Sequence, residues 1–266
     1  MSQVDRAAPD LSVVVPAYQA AEFIQARLGA LCDFLEASGL RYEVIAVDDG
    51  SHDDTAERIR ALARPQLRLL QRPQNGGKFA ALASGMAESR GACCLFTDAD
   101  VPYHLSALPQ MVHLVLERGF HLVIGDRTLP GSSYGEHLGP LRALATRLFT
   151  LFIRLFVTGG VPDTQCGIKA FRGDVARNLF PLLRERGFAG DVELLYIALK
   201  HNLTLRRLPA RLAYQGRSSV RPLRDGLSML RAVLAIPGRY RAGAYASPEL
   251  EALGREDYAQ PETESA

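Results

Sequence analysis

The chain has no tryptophan and only four cysteines among its 266 residues. The cysteines stand at positions 32, 93, 94 and 166. Cys93 and Cys94 are neighbours in an apolar run that is typical of a strand, so their side chains point to opposite faces and do not readily bridge. The spacing fits no zinc site either. We therefore expect reduced thiols, as in a cytoplasmic protein.

Long apolar runs and an excess of charge are also missing. No stretch of roughly 18 uncharged apolar residues occurs, so we expect no membrane-spanning helix. No apolar core follows residues 1–6, so we expect no secretory signal. The formal net charge of +2 does not by itself indicate nucleic-acid binding, and we expect none. No G-x-G-x-x-G follows the first apolar run, which disfavours a dinucleotide-binding dehydrogenase.

Three short apolar runs, rich in β-branched residues, are each followed by a helical pattern. They cover residues 11–16, residues 42–47 and the run that ends at Thr97. This alternation predicts an α/β fold with a mostly parallel sheet and helices on both faces. We expect a flexible tail over 1–10, a single domain over 11–244, and a disordered tail over 245–266, where the sequence becomes acidic.

Two carboxylates follow the third run with one residue between them. Alternate side chains of an extended segment point to the same side, so Asp98 and Asp100 face one point in space. Two close carboxylates repel each other unless a positive charge lies between them. A hard divalent cation shared with phosphate oxygens suits that position, so the pair predicts a site for Mg²⁺ or Mn²⁺.

Further polar residues follow the other two runs. Because ligands of parallel sheets bind beyond the carboxyl ends of the strands, these residues are expected at one edge: Pro16, Tyr18, Asp48, Asp49, Asp98 and Asp100. Each has a simpler alternative, since Pro16 and Tyr18 could merely end a strand and the acids at 48 and 49 could cap a helix. Their clustering favours a binding site.

The sequence Asn75-Gly76-Gly77-Lys78 precedes a helical pattern. Glycine allows the backbone to approach a ligand, and the start of a helix attracts phosphate. Lys78 adds a positive charge. The same sequence is also typical of an ordinary glycine turn, and the two interpretations are evenly balanced.

Residues 141–156 predict a strongly amphipathic helix. One side carries leucine and phenylalanine, and the other carries arginine and threonine with no acid. This pattern is typical of a helix in a bilayer interface. A helix packed on the sheet with its arginines in water is the alternative.

Taken together, these motifs resemble those of inverting family 2 glycosyltransferases with the GT-A fold. The motifs that carry the resemblance occupy residues 14–18, 47–55, 75–78, 98–100, 125–127, 163–171 and 191–198. The last two are most similar to dolichyl- and polyprenyl-phosphate β-glucosyltransferases and to the related polyprenyl-phosphate mannosyltransferases. The resemblance covers residues 11 to about 230. It implies a nucleotide-sugar half over 11–127, an acceptor half over 128–244, and amphipathic interfacial helices in the second half.

The resemblance also implies roles for individual residues. The loop of Pro16, Ala17 and Tyr18 would lie under the nucleotide base, and Asp49, ahead of Asp48, would accept a hydrogen bond from the base. The remaining donor-binding residues would be Asn75, Gly77, Lys78, Asp98, Ala99 and Asp100. Arg127 would act near the sugar and phosphate. Asp191, with Glu193 as second choice, would be the acidic residue that serves as catalytic base, although acidic residues also favour the start of a helix without any function.

On the acceptor side the resemblance implies that Gln165 and Lys169 belong to the wall of the active site. A β-turn before a strand is the simpler alternative for that motif. The related mannosyltransferases carry Gly-x-Ser-Lys after the last strand, whereas this chain has Gly216-Arg217-Ser218-Ser219. Arg217 and Arg221 are expected to bind the lipid phosphate instead.

The implied activity is transfer of a hexose, glucose from UDP-glucose, to a polyprenyl or dolichyl phosphate, with inversion. The enzyme would lie at the inner face of the membrane as a peripheral cytoplasmic protein. Three alternatives remain open: a polyprenyl-phosphate mannosyltransferase that uses GDP-mannose, a transferase of the same fold that acts on a soluble saccharide hydroxyl, and a nucleotide-binding regulatory subunit without turnover.

Overall fold

A computed structural model describes residues 8–132, 160–187, 189–213 and 222–256, with the backbone alone for 222–228. Seven strands form one sheet: β1 Leu11–Ala17, β2 Tyr42–Asp48, β3 Leu67–Gln71, β4 Cys93–Thr97, β5 Leu122–Asp126, β6 Ile168–Arg172 and β7 Leu205–Pro209. The helices are α1 Ile24–Ala37, α2 Thr55–Arg60, α3 Lys78–Ala87, α4 Ala107–Leu116, α5 Gly173–Leu179, α6 Ala189–Lys200, α7 Pro222–Arg241 and α8 Pro248–Glu256. A single 3₁₀ turn, Phe180–Leu182, follows α5.

The strand order is β3-β2-β1-β4-β6-β5-β7. Neighbours are parallel except around β6, which runs antiparallel to both β4 and β5. The predicted mostly parallel sheet is therefore confirmed. The predicted boundary at 127 does not divide the sheet into two separate halves, because β6 lies between β4 and β5.

Side chains of the central strands are buried on both faces. In β1, Val14 packs into one hydrophobic core, whereas Val13 and Val15 pack into the other. Helices α1, α2 and α4 cover the second core, and α3 together with α5 to α8 covers the first. A strand with a two-residue period and apolar residues at every position requires such double cover. Cys94 and Cys93 likewise lie in opposite cores, as predicted, and all four thiols are free.

The C-terminal prediction is wrong over 245–256. Tyr245 and Leu250 are fully buried, and Leu250 lies in helix α8, which begins at Pro248. Ser247 Oγ accepts a hydrogen bond from Leu250 N at 3.3 Å, and Pro248 occupies the first helical position. These are favourable helix-start residues, so local capping and two apolar anchors outweigh the acidic composition.

The N-terminal tail is shorter than predicted. Within the expected tail over 1–10, Pro9 O and Asp10 O accept hydrogen bonds from the residues at the start of β4, and Asp10 pairs with Arg41 at 2.5 Å. The predicted helix over 141–156 and the two arginines at 217 and 221 lie outside the described residues. Among the helices that the structure does describe, none combines the length and apolar character needed to cross a bilayer.

Candidate functional site

The carboxyl ends of β2, β1 and β4 lie side by side, because these strands are parallel neighbours. Ala17 pairs with Asp48 at this edge. Tyr18, the next residue after β1, is 43% exposed, while Asp48 and Asp49 are buried. The sheet thus places the ends of the first, second and third predicted strands together, and an aromatic ring stands open to solvent beside them.

Asp98 and Asp100 follow β4 in a tight turn. Val101 N donates to Asp98 O at 2.9 Å, and Val101 has a φ of +44°, which is rare for a β-branched residue. Burial, followed by the neighbouring Asp98 charge, raises the pKa of Asp100 above its ordinary value. The turn therefore holds two carboxylates at a distance where they repel each other.

Lys78 provides positive charge at this turn. Its Nζ lies 2.6 Å from Asp98 Oδ1, and the Phe96 ring lies beneath it at 5.5 Å. Burial opposes the charged form of Lys78, but the Asp98 and Asp191 carboxylates outweigh burial and raise its pKa. The negative charges of Asp98 and Asp191 therefore both stabilise the Lys78 ammonium.

The donor set fits a divalent cation only in part. Among the described residues, no group of three or more His, Cys, Asp or Glu side chains could hold a metal ion alone. Two carboxylates that need added positive charge suit Mg²⁺ or Mn²⁺ when a diphosphate supplies the other oxygen ligands. Asp98 and Asp100 form such a pair.

The Asp49 carboxylate holds the loop before α3 in place. The Asp49 carboxylate accepts hydrogen bonds from Gly76 N at 3.1 Å and Gly77 N at 2.8 Å, and it pairs with the guanidinium of Arg72. Gly77 has a φ of +91°, a conformation that favours glycine. Asp49 thereby fixes the start of the helix whose first residue is Lys78. Asp48 instead caps its own turn by accepting from Ser51 N at 3.1 Å.

Gly167 lies directly against the Asp98 carboxylate. A Cβ at this position would lie 1.8 Å from Asp98 Oδ2, so no larger residue fits without moving that side chain. Gly167 N donates to Tyr103 Oη at 2.8 Å. The motif over 163–171 is therefore in contact with Asp98. Its role as a wall of the active site stays a prediction.

Arg127 is engaged within the protein. Its Nε and Nη2 donate to the two carboxylate oxygens of Asp163 at 2.8 and 2.9 Å. Burial would raise the pKa of Asp163, but the Arg127 guanidinium lowers it. The pair joins the end of β5 to the start of the motif.

Lys169 and Asp191 form a sealed ion pair. Lys169 lies in β6 between β4 and β5, is fully buried, and donates to Cys166 O at 2.7 Å as well as to Asp191 Oδ1. Asp191 is 2% exposed. Gln165, the other predicted wall residue, is only half-buried, and its side-chain amide contacts Thr164 Oγ1 at 3.4 Å.

Glu193 does not join this group through any contact between described residues. It is fully buried, and its carboxylate accepts from Arg184 N, Glu185 N and Tyr245 Oη. Asp191 and Glu193 are two positions apart on a helix, so they point to nearly opposite sides. The structure thus separates the two predicted catalytic acids.

Comparison with known proteins identifies this arrangement. The sequence pattern described as glycosyl transferase family 2 matches residues 12–180. The chain belongs to glycosyl transferase family 2. The predicted family and the predicted GT-A fold are thereby confirmed.

Family 2 relatives of known name match most of the chain. A dolichyl-phosphate β-glucosyltransferase of Dictyostelium discoideum is 31% identical over 88% of this chain and 76% of its own length. The Drosophila melanogaster protein of the same name is 32% identical over 89% of this chain and 77% of its own length.

Solved structures agree on the fold. Mycobacterium tuberculosis glucosyl-3-phosphoglycerate synthase, in complex with Mn²⁺, UDP-glucose and phosphoglyceric acid, superposes with a TM-score of 0.64 at 26% identity, covering 90% of this chain and 81% of that one. Mannosyl-3-phosphoglycerate synthase of Rubrobacter xylanophilus has a TM-score of 0.67 at 20% identity over 90% and 77%, a likeness of fold alone.

The sequence motifs of this family 2 glycosyltransferase did not reveal every residue that shapes the site. Arg72, Tyr103 and Asp163 hold Asp49, Gly167 and Arg127 respectively. Only Asp163 could have been recognised from the sequence, because it is the polar first residue of a motif between apolar stretches. The other two act through pairings that no local pattern indicates.

Proposed function

We propose that this glycosyltransferase moves glucose from UDP-glucose to a polyprenyl or dolichyl phosphate, with inversion and with Mg²⁺ or Mn²⁺ as cofactor. One observation carries the proposal. The chain matches several dolichyl-phosphate β-glucosyltransferases over most of its length.

The donor would bind across the ends of β1, β2 and β4. Tyr18 offers an exposed ring to the base, and the buried Asp49 fixes the loop that starts α3. The Lys78 ammonium at the start of α3 favours a diphosphate at this place. Asp98 and Asp100 would hold the metal ion, which when bound neutralises charge that develops on the leaving diphosphate.

Asp191 has the role of orienting the reactants. A phosphate monoester is largely ionised at neutral pH because its second pKa is about 6, so the acceptor needs no base to become a nucleophile. Its oxygen forms the new bond to C1 of glucose as the bond from C1 to the diphosphate breaks, and UDP leaves. The pairing with Lys169 holds Asp191 in one position during this exchange.

The acceptor side rests on the sequence. The amphipathic pattern over 141–156 and the arginines at 217 and 221 support a lipid phosphate held at a membrane surface. A peripheral position on the membrane follows from the same features, and the four free thiols support its cytoplasmic face. Sedimentation with anionic liposomes tests this part, because a protein that acts on a soluble acceptor should stay in the supernatant.

A transfer assay tests the activity. Purified protein with Mn²⁺ is given UDP-glucose or GDP-mannose, and the acceptor is either a polyprenyl phosphate in detergent micelles or 3-phosphoglycerate. We expect product only from UDP-glucose with the polyprenyl phosphate, and a β-anomeric signal by NMR. EDTA should abolish turnover.

A second candidate follows from the structural comparison. The Mycobacterium tuberculosis protein was crystallised with phosphoglyceric acid, a small soluble phosphate, so the same fold accommodates such acceptors in that enzyme. Product from 3-phosphoglycerate without product from polyprenyl phosphate would replace the lipid proposal by this one. Binding of UDP-glucose without any turnover would favour a regulatory subunit.

A further inference from the structure

The carboxylate of Glu193 is divided between two parts of the chain. Oε2 accepts from Arg184 N at 2.8 Å and Glu185 N at 2.7 Å, both in the segment between the 3₁₀ turn and α6. Oε1 accepts from Tyr245 Oη at 2.5 Å and from Arg239 at 3.3 Å. A fully buried carboxylate with both oxygens occupied in this way is suited to joining segments.

The C-terminal partners are themselves connected. Arg239 Nη1 also lies 2.5 Å from Glu185 Oε1, so the guanidinium contacts both acids. Tyr245 is 1% exposed, and burial together with its hydrogen bond to Glu193 raises its pKa, which keeps the phenol neutral and able to donate. We call Glu193, Glu185, Arg239 and Tyr245 the Glu193 cluster.

The segment that the cluster holds lies on the start of α3. Arg186, one residue beyond Glu185, accepts a hydrogen bond from Phe79 N through its carbonyl oxygen at 3.2 Å. A Cβ on Gly77 would lie 2.6 Å from that same oxygen. The Arg186 carbonyl is therefore packed against the turn that precedes Lys78, whose ammonium lies 2.6 Å from Asp98.

The loop is thus fixed from two sides. Asp49 binds the N–H groups of Gly76 and Gly77 from the side of β2, and the Arg186 carbonyl covers Gly77 and Phe79 from the other. Asp49 belongs to the predicted nucleoside side of the site. The Arg186 contact instead depends on the Glu193 cluster, which joins α6, α7, the segment before α6 and the turn between α7 and α8.

We propose that the Glu193 cluster is a positioning device for the diphosphate. It holds the Arg186 carbonyl against the start of α3 and so fixes the Lys78 ammonium where the two phosphates of the donor bind. Glu193 is then a positioning residue and takes no proton from the acceptor. This inference rests on the proposed use of a nucleoside diphosphate sugar. Helix α7, which carries Arg239, begins one residue after Arg221. The Glu193 cluster therefore also connects the loop before α3 to the helix that follows the two arginines predicted to bind the lipid phosphate.

The test compares UDP with UMP binding by calorimetry in the presence of Mn²⁺, using the full chain. Tyr245→Phe removes one hydroxyl and keeps the ring. We expect its Kd for UDP to rise about tenfold and its Kd for UMP to change less than about twofold, because only UDP carries the second phosphate.

Tyr42→Phe is the matched control: it also removes one hydrogen-bonding hydroxyl, which donates to Cys32 O at 3.3 Å at the opposite end of the sheet. Its UDP-to-UMP ratio should equal that of the wild type.

Glu193→Gln separates positioning from catalysis. A positioning role predicts a raised Kd for UDP and a raised KM for the donor. Unchanged UDP affinity with lost turnover would mean that Glu193 acts on the acceptor, and would overturn the inference. An unchanged UDP-to-UMP ratio in folded Tyr245→Phe, with a melting temperature near that of Tyr42→Phe, would also overturn it. The UDP and UMP binding measurements need no acceptor, so failure of the wild type to glucosylate polyprenyl phosphate would defeat the proposed function alone.

Discussion

Two lysine–aspartate pairs lie at the same edge of the sheet and differ in their access to solvent. Lys78 and Asp98 are 26% and 36% exposed, whereas Lys169 and Asp191 are 0% and 3% exposed. An open pair can exchange its partner for a ligand at little cost. A sealed pair cannot, because each charge would remain buried without its counter-ion. The open pair is therefore suited to binding, and the sealed pair to fixing the position of one acid.

The largest expected effect is on the sealed pair. Lys169→Met leaves the Asp191 charge buried alone, so the free energy of unfolding should fall by about 3–5 kcal/mol. Urea denaturation followed by circular dichroism measures it. The double variant Lys169→Met with Asp191→Leu should recover much of the loss, because it removes both charges. A single variant within about 1 kcal/mol of wild type would show that the pair is not sealed in solution.

The open side of the site should respond in activity and not in folding. Asp100→Asn removes one expected metal ligand, and kcat/KM should fall roughly 100- to 1000-fold, as when one preorganised electrostatic contact to the transition state is lost. Mn²⁺ binding by calorimetry should weaken in parallel. Asp33→Asn is the control, since Asp33 is an exposed acid on α1. Near-normal turnover of Asp100→Asn at limiting Mn²⁺ would remove Asp100 from the metal site.

Asp49 tests whether a sealed acid can also serve a ligand. Asp49→Ala leaves Gly76 N, Gly77 N and the Arg72 guanidinium without their acceptor, so stability should fall by about 1–3 kcal/mol. UDP binding should weaken at the same time. The neighbouring exposed acid provides the control, as Asp54 makes no side-chain capping bond and Asp54→Ala should change neither quantity. Loss of stability with normal UDP affinity would place the nucleoside contact elsewhere.

The smallest expected effect is on the stability of the open pair. Lys78→Met should lower the free energy of unfolding by less than Lys169→Met does, because the side chains of Lys78 and Asp98 are partly exposed. Its Kd for UDP should nevertheless rise. Thermal melting with and without UDP shows both results in one experiment. A stability loss as large as that of Lys169→Met would make the two pairs equivalent and end the distinction between them.

Much of this site could be predicted from the sequence, because its first half depends on local patterns. Apolar strands followed by Tyr18, Asp48 and Asp98 meet wherever parallel neighbours end, and that rule requires no knowledge of distant contacts. The roles of the individual residues at this edge were harder to predict. Asp48 and Asp49 are adjacent in sequence, yet only Asp49 reaches the loop before α3.

The second half depends on pairings that sequence alone does not specify. Lysine is usually a surface residue, and the burial of Lys169 follows only from the insertion of β6 between two other strands. Asp191 and Glu193 could have been separated in advance, since residues two apart on a helix face different ways. The folded segment at 245–256 was obscured by its acidic composition, although Tyr245 and Leu250 anchor it.

The antiparallel strand β6 also sets an order of assembly on the ribosome. Strand β5 is synthesised before β6, yet its described neighbours in the sheet are β6 and β7, and β4 contacts β5 only across β6. Domains are made from the N-terminus onward, so β1 to β4 can pair while β5 still waits without a partner. A nascent chain halted between 126 and 168 would therefore expose both the edge of β4 and an unpaired β5, and edges of that kind attract other chains. The interval before Gly167 reaches Asp98 is thus also an interval in which two described strands lack their sheet partner.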